Sequence, residues 1–434
     1  MKKLLSIFVV LATLASLCAC ANGKPAETTE ATNAYVVPEK LVATEADRAA
    51  LDATYAGKTL RYGEMHNHTN TGPYRDDGTG DVISTGADGQ KSLDEWIVEM
   101  DRLKMDFAFI VDHGMSIHMY DGKFKYMENY FIGGTEPGTS ITDLLASSKS
   151  PHYNMLFADP VKLESIFFKW EAKFKPVKWN RENYPTAIEP SEEGYRVRYP
   201  SFTVAEFTQL AKDVYDAGGL FVHVHPKYDS YIVSDNPMDY YFGDYTGLEI
   251  TTGCGGNMMT KDNEEAYRLW VDLLYKGKKI WATAGSDSHR LPDFSALTAM
   301  YTTNDHRDDY METVRAGNMA PGWIGIRMNI NGTAMGGETD FTGQRLQFSV
   351  GDIYNPGVKD TYGSELPYVE YHTYRVELYD ENGLLLQAKI DPVEMNYFAY
   401  DCDASAKLYR VVVFDETTGA RIGVSNPIWN TAVG

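Results

Sequence analysis

Apolar runs of strand length alternate with helical patterns from about Thr59 to Asn318. In SLDEWIVEMDRLKM the apolar positions are spaced by three and four residues, which indicates one buried helix face. Such alternation is typical of a mainly parallel α/β sheet. The predicted strands are TLRYGEMH, FAFIVDH, YFIGGTE, HYNMLFA, GLFVHVH, GLEIT and KIWATAGSD.

Two of the predicted helices have recognisable starts. Ser92 with Glu95, and Thr203 with Glu206, have the spacing of capping boxes. Gly218 marks the end of the second of these helices, because glycine accommodates the turn that follows a helix.

The pattern changes after Asn318. RLQFSV, YRVELYDENGLLLQAKI and LYRVVVFDETTGARIGV contain stretches that alternate with period two, and Asn382-Gly383 is a strong hairpin signal. No long helical pattern occurs there. We therefore predict a small antiparallel β-sandwich over residues 319–434, after an α/β domain over residues 59–318.

The first residues predict export. Lys2 and Lys3 precede an apolar run from Leu4 to Leu17, which is too short to span a bilayer comfortably. Residues 1–19 are therefore interpreted as a cleaved signal peptide. Leu17-Cys18-Ala19-Cys20 resembles a bacterial lipobox, which implies cleavage before Cys20 and diacylation of its thiol. Ordinary signal-peptidase cleavage nearby is the alternative.

Residues 20–58 are expected to form a lipid-anchored linker and N-terminal segment. Residues 21 to about 34 are small and polar and lack apolar periodicity, which is typical of a flexible tether. The expected location is the bacterial cell envelope, outside the cytoplasm, with membrane contact through the lipid anchor only.

The composition and net charge limit the classes of molecule that the protein is expected to bind. The 434 residues are 43% hydrophobic and 23% charged, which are ordinary globular values. The net charge of −21 would repel a phosphate backbone, so no nucleic-acid partner is expected. Cys254 and Cys402 remain beyond Cys20, and we expect buried small side chains rather than a bridge.

Imidazoles and carboxylates are concentrated at the ends of the predicted strands. His66 and His68 have an i, i+2 spacing, so both side chains are expected to point to one side. In a (β/α) barrel the carboxyl ends of the strands meet at one mouth, where ligands distant in sequence converge. Burying so many such groups unpaired would be costly, so we predict a metal site. Nitrogen and oxygen ligands without thiolate suit Zn, Mn or Fe.

The order of these motifs resembles a known family. HNHT, VDHG, the Gly-x-Glu of GGTEPG, a following His, HVHP and SDSH resemble the PHP (polymerase and histidinol phosphatase) superfamily over about residues 60–318. The resemblance implies a distorted (β/α)7 barrel, two or three divalent metal ions and phosphoester hydrolysis. The metal ligands that it implies, with the glutamate bridging, are His66, His68, His113, Glu136, His152, His225, Asp287 and His289.

Two positions depart from the family pattern. Members often have Ser-Asp-Gly shortly after the first two histidines, and the nearest match here is Asp77 in TNTGPYRDDGTG. Asp77 is either a further ligand or a turn residue, because Asp-Asp-Gly is also good turn chemistry. His223 stands where the family commonly has a small residue, so we expect a substrate contact there.

A finer resemblance lies in the C-terminal part. METVRAGNMAPG and the later VSNPIW resemble the CehA/McbA-type branch of these metallohydrolases, whose members carry an appended domain. The named prototype of that branch hydrolyses a carbamate ester. The resemblance therefore does not fix phosphate as the substrate.

Further roles follow from the expected mechanism. Bound ions would activate a water as nucleophile and neutralise charge on the reacting oxygens. Asp287 or His289 is a candidate catalytic proton shuttle, and a ligand role alone is the alternative. Lys227 and Arg290 directly follow ligand-bearing motifs and are candidates for contact with an anionic substrate; solvated surface charge is the alternative.

An insertion over residues 161–200 is rich in aromatic and basic residues, unlike the acidic whole. Because it follows the strand near His152, we expect it at the barrel mouth, as a substrate-selecting lid or as a packed subdomain.

The predicted function is a metal-dependent hydrolase, with phosphoesters of small molecules as the favoured substrates. Hydrolysis of carboxylic or carbamic esters or amides at the same site is one alternative. A non-catalytic, metal-containing envelope binding protein is another. The oligomeric state stays open.

Overall fold

Nine strands form the main sheet of the computed structural model, which describes residues 37–433 apart from 72–73, 76–81, 84–88, 145–150, 181, 184–192, 229–233, 254–259 and 365. Neighbouring strands follow the order β7-β6-β5-β4-β3-β2-β1-β8-β9. Their bounds are β1 Thr59–Asn67, β2 Phe107–Ile110, β3 Phe131–Thr135, β4 Tyr153–Phe157, β5 Leu220–His223, β6 Thr246–Thr252, β7 Ile280–Gly285, β8 Thr298–Thr302 and β9 Met319–Pro321.

Strand direction divides this sheet. β1 to β3 are parallel to one another, and so are β5 to β7, as the sequence predicts. β4 instead runs antiparallel to both of its neighbours, and β8 and β9 continue the sheet beyond β1 in antiparallel pairings. The amino end of β4 therefore lies beside the carboxyl ends of the other barrel strands.

The two ends of the seven-strand run from β1 to β7 approach each other. The amide of Asp287, just after β7, donates to the carbonyl of His66 at 2.9 Å. The amide of His68 donates to the carbonyl of Ser288 at 2.9 Å. These bonds make the sheet nearly closed and barrel-like.

Several helices pack against this sheet, and the two predicted capping boxes are confirmed at Ser92 and Thr203. The second capped helix ends at Asp216, and Gly218 follows with φ of +94°. None of the described helices has the length and hydropathy that a membrane span requires. The helices are α1 Glu45–Thr54, α2 Leu93–Leu103, α3 Gly122–Tyr126, α4 Pro160–Lys169, α5 Glu171–Phe174, α6 Val204–Asp216, α7 Lys261–Tyr275 and α8 Arg307–Arg315.

The C-terminal strands form two further sheets. One has the order β11-β10-β13-β16, and the other has the order β12-β19-β17-β14-β15, with β18 also paired to β17. Their bounds are β10 Gly325–Ile330, β11 Thr333–Ala334, β12 Glu338–Thr339, β13 Arg345–Gly351, β14 Tyr374–Asp380, β15 Gly383–Ile390, β16 Asn396–Asp401, β17 Leu408–Asp415, β18 Arg421–Val424 and β19 Ile428–Asn430.

The predicted hairpin joins β14 and β15, with its turn one residue earlier than the Asn-Gly signal suggests. Asp380 pairs with Gly383, so the loop residues are Glu381 and Asn382. Gly383 has φ of +126°, which a residue with a side chain rarely adopts.

One continuous hydrophobic core runs through the barrel and the C-terminal sheets. The rings of Trp281 in β7 and Trp429 in β19 lie 5.1 Å apart. The Asn426 side chain accepts from the amide of Ala282 at 2.7 Å and donates to its carbonyl at 3.2 Å. The C-terminal segment thus supplies backbone partners to the end strand β7. Cys402, which was expected to be buried, is a partly exposed free thiol.

The insertion differs in placement from the sequence expectation. Because β4 is antiparallel, its carboxyl end lies away from the mouth, and α4 begins there. The chain returns to the mouth later, where the amide of Val197 donates to the carbonyl of Gly114 at 2.7 Å. Of the described residues of the insertion, those in the final part therefore lie beside the predicted ligand His113.

Candidate metal centre

At least two imidazoles face each oxygen of the Glu136 carboxylate. Glu136 follows β3 and is fully buried. Its Oε2 lies 3.0 Å from Nε2 of His66 and 3.0 Å from Nε2 of His68, at the end of β1. Its Oε1 lies 2.7 Å from Nδ1 of His152 and 3.0 Å from Nε2 of His225. This arrangement suits a carboxylate that is shared between two cations.

Three further predicted ligands complete the cluster. Asp287 Oδ1 lies 3.1 Å from Nε2 of His68 and 3.3 Å from Nε2 of His66. The rings of His113 and His289 stack on the ring of His68, with centroids 4.6 and 4.3 Å away. The structure therefore brings together all eight ligands that the resemblance implies.

Seven of the eight residues, all except His225, supply donor atoms to three overlapping groups, within each of which every atom lies within 4.8 Å of the others. Each group is large enough to hold one metal ion. The groups are His68, His113 and His289; His66, His68, Glu136 and Asp287; and His113, Glu136 and His152.

Two of the imidazoles are oriented by backbone carbonyls. Nδ1 of His113 lies 3.0 Å from the carbonyl oxygen of Glu136, and Nδ1 of His289 lies 3.0 Å from the carbonyl oxygen of Asp287. A carbonyl can only accept, so Nδ1 carries the proton in both rings, and Nε2 of each neutral ring is the nitrogen with the lone pair. This is how metal-ligating histidines are commonly held.

Glu249, which is not among the ligands predicted from the sequence, lies in the buried strand β6. Its Oε1 is 3.1 Å from Nδ1 of His66, and its Oε2 accepts from the amide of His225 at 2.8 Å. One carboxylate thus orients two candidate ligands. The signal was present as a single acid within the apolar run GLEIT.

The carboxylate of Asp112 stabilises the loop after His68 through hydrogen bonds. It accepts from the amide and hydroxyl of Thr69 at 2.6 and 2.7 Å, and it lies 3.4 Å from Nδ1 of the buried His118. Asp112 is therefore a support for the loop.

Two of the candidate ligands have unusual backbone conformations. His225 has φ of +29° and Asp287 has φ of +53°, in the left-handed region that side chains disfavour. Such conformations cost free energy and are concentrated at functional sites. They turn the chain sharply after β5 and β7, so that these two side chains reach Glu136 and His68.

The electrostatics of the cluster favour positive charge. Burial opposes charge on His66, but Glu136 and Asp287 outweigh it and raise the pKa of His66 well above its usual range. Against the same burial, hydrogen bonds to Asp287 and Glu136 raise the pKa of His68 to about 10. Burial also opposes charge on Glu136, yet His113 and His66 hold its pKa well below the usual range. The carboxylates thus stabilise cations at the imidazole nitrogens.

The donor set fits divalent metal ions. Among the described residues, which do not include Cys254, it combines imidazole nitrogens with carboxylate oxygens and has no thiolate, which suits Zn, Mn or Fe. Two carbonyls and Glu249 fix the orientation of three imidazoles, as a metal site requires.

Other predicted site residues have contacts away from Glu136. The ring of His223 packs on Tyr240 and Phe242, with centroids 5.4 and 5.7 Å away. Neither ring nitrogen has a hydrogen-bond partner among the described residues, and burial lowers the pKa of His223 to about 3. Lys227 donates from Nζ to the hydroxyl of Tyr240 at 3.0 Å.

Arg290 is exposed next to His289, and its guanidinium lies 6.0 Å from the ring centroid of Tyr362. Asp77 and Cys20 lie outside the described residues.

Comparison with known proteins gives structural likenesses at low identity. No family model and no curated protein matches the chain. A two-domain protein containing a predicted PHP-like metal-dependent phosphoesterase from Bacteroides vulgatus is 11% identical, with a TM-score of 0.37 over 86% of this chain and 96% of that one. A candidate metal-dependent phosphoesterase from Bifidobacterium adolescentis is 18% identical, with a TM-score of 0.32 over 52% and 87%. An amidohydrolase from Chromobacterium violaceum is 16% identical, with a TM-score of 0.31 over 52% and 87%.

Proposed function

We propose that this chain is a metal-dependent hydrolase of the PHP type, and that phosphoesters are its substrates. The observation that carries the proposal is the position of Glu136 among imidazoles, four of which lie 2.7–3.0 Å from its oxygens, with Asp287 beside two of them. Bound divalent ions would activate water for attack and neutralise charge on the phosphoryl oxygens.

The residues of the candidate metal centre have different proposed roles. Glu136 would contribute a ligand oxygen to each of two cations, and Glu249 orients the ring of His66. Because Nδ1 of His289 donates to a backbone carbonyl, its neutral ring offers a lone pair at Nε2. This favours a ligand role for His289 over the alternative of a proton donor. Asp287 remains the candidate to receive or pass a proton.

Access to solvent favours catalysis over a structural metal. The His289 side chain is 32% exposed, and the side chains of His152 and Asp287 are each 13% exposed. Structural metal sites are normally closed, whereas catalytic sites keep a position open to water and substrate. The non-catalytic binding protein is therefore the weaker alternative.

Arg290 supports an anionic substrate, because its exposed guanidinium directly follows His289. A phosphoryl group would gain charge-assisted hydrogen bonds there. Carboxylic or carbamic esters would gain less, so we rank them second.

The test is metal analysis of the purified protein together with a panel of aryl phosphates, aryl carboxylates and aryl carbamates. We expect two or three divalent ions per chain and the highest kcat/KM on a phosphate. Metal-free protein with full activity would reject the proposal. Turnover of carboxylates or carbamates alone would establish the alternative substrate class.

We also propose that Cys20 anchors the chain to the cell envelope, on the support of the lipobox-like sequence. Cys20→Ser should release the protein from membranes and abolish fatty-acid labelling. Unchanged labelling would refute the anchor.

A further inference from the structure

Tyr199, near the end of the insertion, stands at the rim of the candidate metal centre. Its ring centroid lies 6.5 Å from that of His113 and 6.5 Å from that of His152. These histidines form one candidate ion group with Glu136. Tyr199 is 55% exposed, so part of its ring is open to a ligand.

Two glycines make room for this ring. A Cβ on Gly114 would lie 3.4 Å from Cε1 of Tyr199, and a Cβ on Gly138 would lie 3.2 Å from its Cδ2. Gly114 directly follows His113, and Gly138 lies two residues after Glu136. The ring thus lies on bare backbone beside candidate ligands.

The backbone on both sides of Tyr199 is held in place. On one side, the amide of Val197 donates to the carbonyl of Gly114 at 2.7 Å. On the other, the carbonyl of Pro200 accepts from the hydroxyl of Thr139 at 2.9 Å. The ring is therefore presented by a fixed segment.

We propose that Tyr199 is a specificity-determining residue whose ring stacks on a planar, aromatic leaving group of the substrate. The inference rests on the proposed function and names the substrate class, aryl or heteroaryl phosphoesters. A phosphoryl group at the ions between His113 and His152 would direct its ester substituent outward, next to the Tyr199 ring. Arene substituents gain from such contact because aromatic pairs attract beyond their buried area.

The effect should be modest and selective. An aromatic pair of this kind gives roughly a 2- to 10-fold gain in affinity. Tyr199→Ala should therefore lower kcat/KM for phenyl phosphate by about 2- to 10-fold, mainly through KM. For 2,2,2-trifluoroethyl phosphate, which has no ring, the change should stay within about twofold.

Two variants serve as controls. Tyr199→Phe keeps the ring and removes the hydroxyl, so the preference for phenyl phosphate should persist. Tyr371→Ala removes a tyrosine that is 88% exposed in the C-terminal part, and it should leave kcat/KM unchanged for both esters. Metal content should be unchanged in all three variants.

Equal losses on both esters in Tyr199→Ala, or loss of the preference in Tyr199→Phe, would overturn the inference. A binding measurement separates it from the proposed function: titration calorimetry of the metal-loaded protein with phenylphosphonate and methylphosphonate. Preferential binding of phenylphosphonate that disappears in Tyr199→Ala supports the inference even if neither ester is hydrolysed. Equal affinity for the two phosphonates, or no binding of phenylphosphonate, would overturn it.

Discussion

His152 Nδ1 lies 2.7 Å from Glu136 Oε1, although His152 precedes a strand and Glu136 follows one. The reason is that β4 runs antiparallel to both neighbours, so its first residues lie at the same end of the barrel as the last residues of β3. One reversed strand thus adds a ligand to the mouth from its amino end.

The candidate ligands are predicted to act in catalysis more than in folding. His225→Ala and Asp287→Asn should each lower turnover by about 100- to 1,000-fold, because each disturbs preorganised charge at the reacting centre. Steady-state kinetics, metal content and thermal melting on the same samples provide the check.

The control is His372→Ala, in the C-terminal part, where the lost partner is Asp415 at 2.7 Å. Its turnover should stay within about twofold. Wild-type turnover and metal content in His225→Ala would exclude the barrel mouth as the catalytic site.

Glu249→Gln should weaken metal binding while leaving the fold intact. The glutamine keeps the shape of the side chain, but it has no charge and only one oxygen in place of the two that face Nδ1 of His66 and accept from the amide of His225. Loss of such a supporting carboxylate typically costs about 10- to 100-fold in metal affinity. Competition with a chelator measures this directly, and unchanged affinity would show that Glu249 is only structural.

Removal of metal should lower both activity and stability. A ligand that binds only the folded state stabilises it by about 4 kcal/mol at 1,000 times its Kd. Dialysis against a chelator should therefore lower the Tm and abolish turnover, and Zn, Mn or Fe should restore both. Restoration of the Tm without turnover would favour the non-catalytic binding protein.

Asp293 gives a prediction on pH. Burial raises its pKa from 3.8 to about 6, so the folded state holds a proton between these values that the unfolded state has lost. The favourable contribution of the protonated group is complete below pH 3.8 and is lost as the pH rises through about 6.

Asp293→Asn replaces the carboxyl group with an amide that does not ionise, so the loss of stability with rising pH should disappear. The amide keeps an oxygen that can accept from the backbone N–H of Ser295, which in the wild type donates to Asp293 Oδ1 at 2.7 Å. The variant should be more stable than wild type at pH 7.5 by up to about 3 kcal/mol, and the gain should shrink towards pH 4. Thermal melting curves of the variant and the wild type between about pH 4 and pH 7.5 test this prediction. A gain that is independent of pH would contradict the assigned cause.

Asn426→Ala should destabilise the whole chain. The side-chain amide of Asn426 hydrogen-bonds to both the backbone N–H and the backbone carbonyl of Ala282. It also donates to the carbonyl of Met319 at 3.1 Å. Leaving these buried groups without partners costs about 1 to 3 kcal/mol each, so denaturation should show a loss of several kcal/mol. A change below about 0.5 kcal/mol would mean that water replaces the side chain.

Local patterns in the sequence predicted much of the architecture. Strands β1 to β7 lie at the predicted apolar runs, and the capping boxes at Ser92 and Thr203 occur as expected. These features depend on neighbours within a few residues, which the sequence displays directly. The position of His66 and Glu136 at strand ends was readable for the same reason.

The sequence did not predict the direction of side chains that lie beyond the end of a strand. The i, i+2 spacing of His223 and His225 suggests one shared face, but β5 ends at His223 and the backbone turns at His225. His225 therefore reaches Glu136, while His223 packs on Tyr240. A periodicity argument holds only as long as the strand continues.

The sequence by itself determined which residue types stand at the strand ends, and with them the chemistry of a metal site. Only the tertiary structure decided the direction of β4, the support that Glu249 gives to His66, and the return of Tyr199 to the mouth. Each of these depends on hydrogen bonds and packing between segments far apart in the chain. Such contacts form only when the whole sheet closes, so no local pattern encodes them.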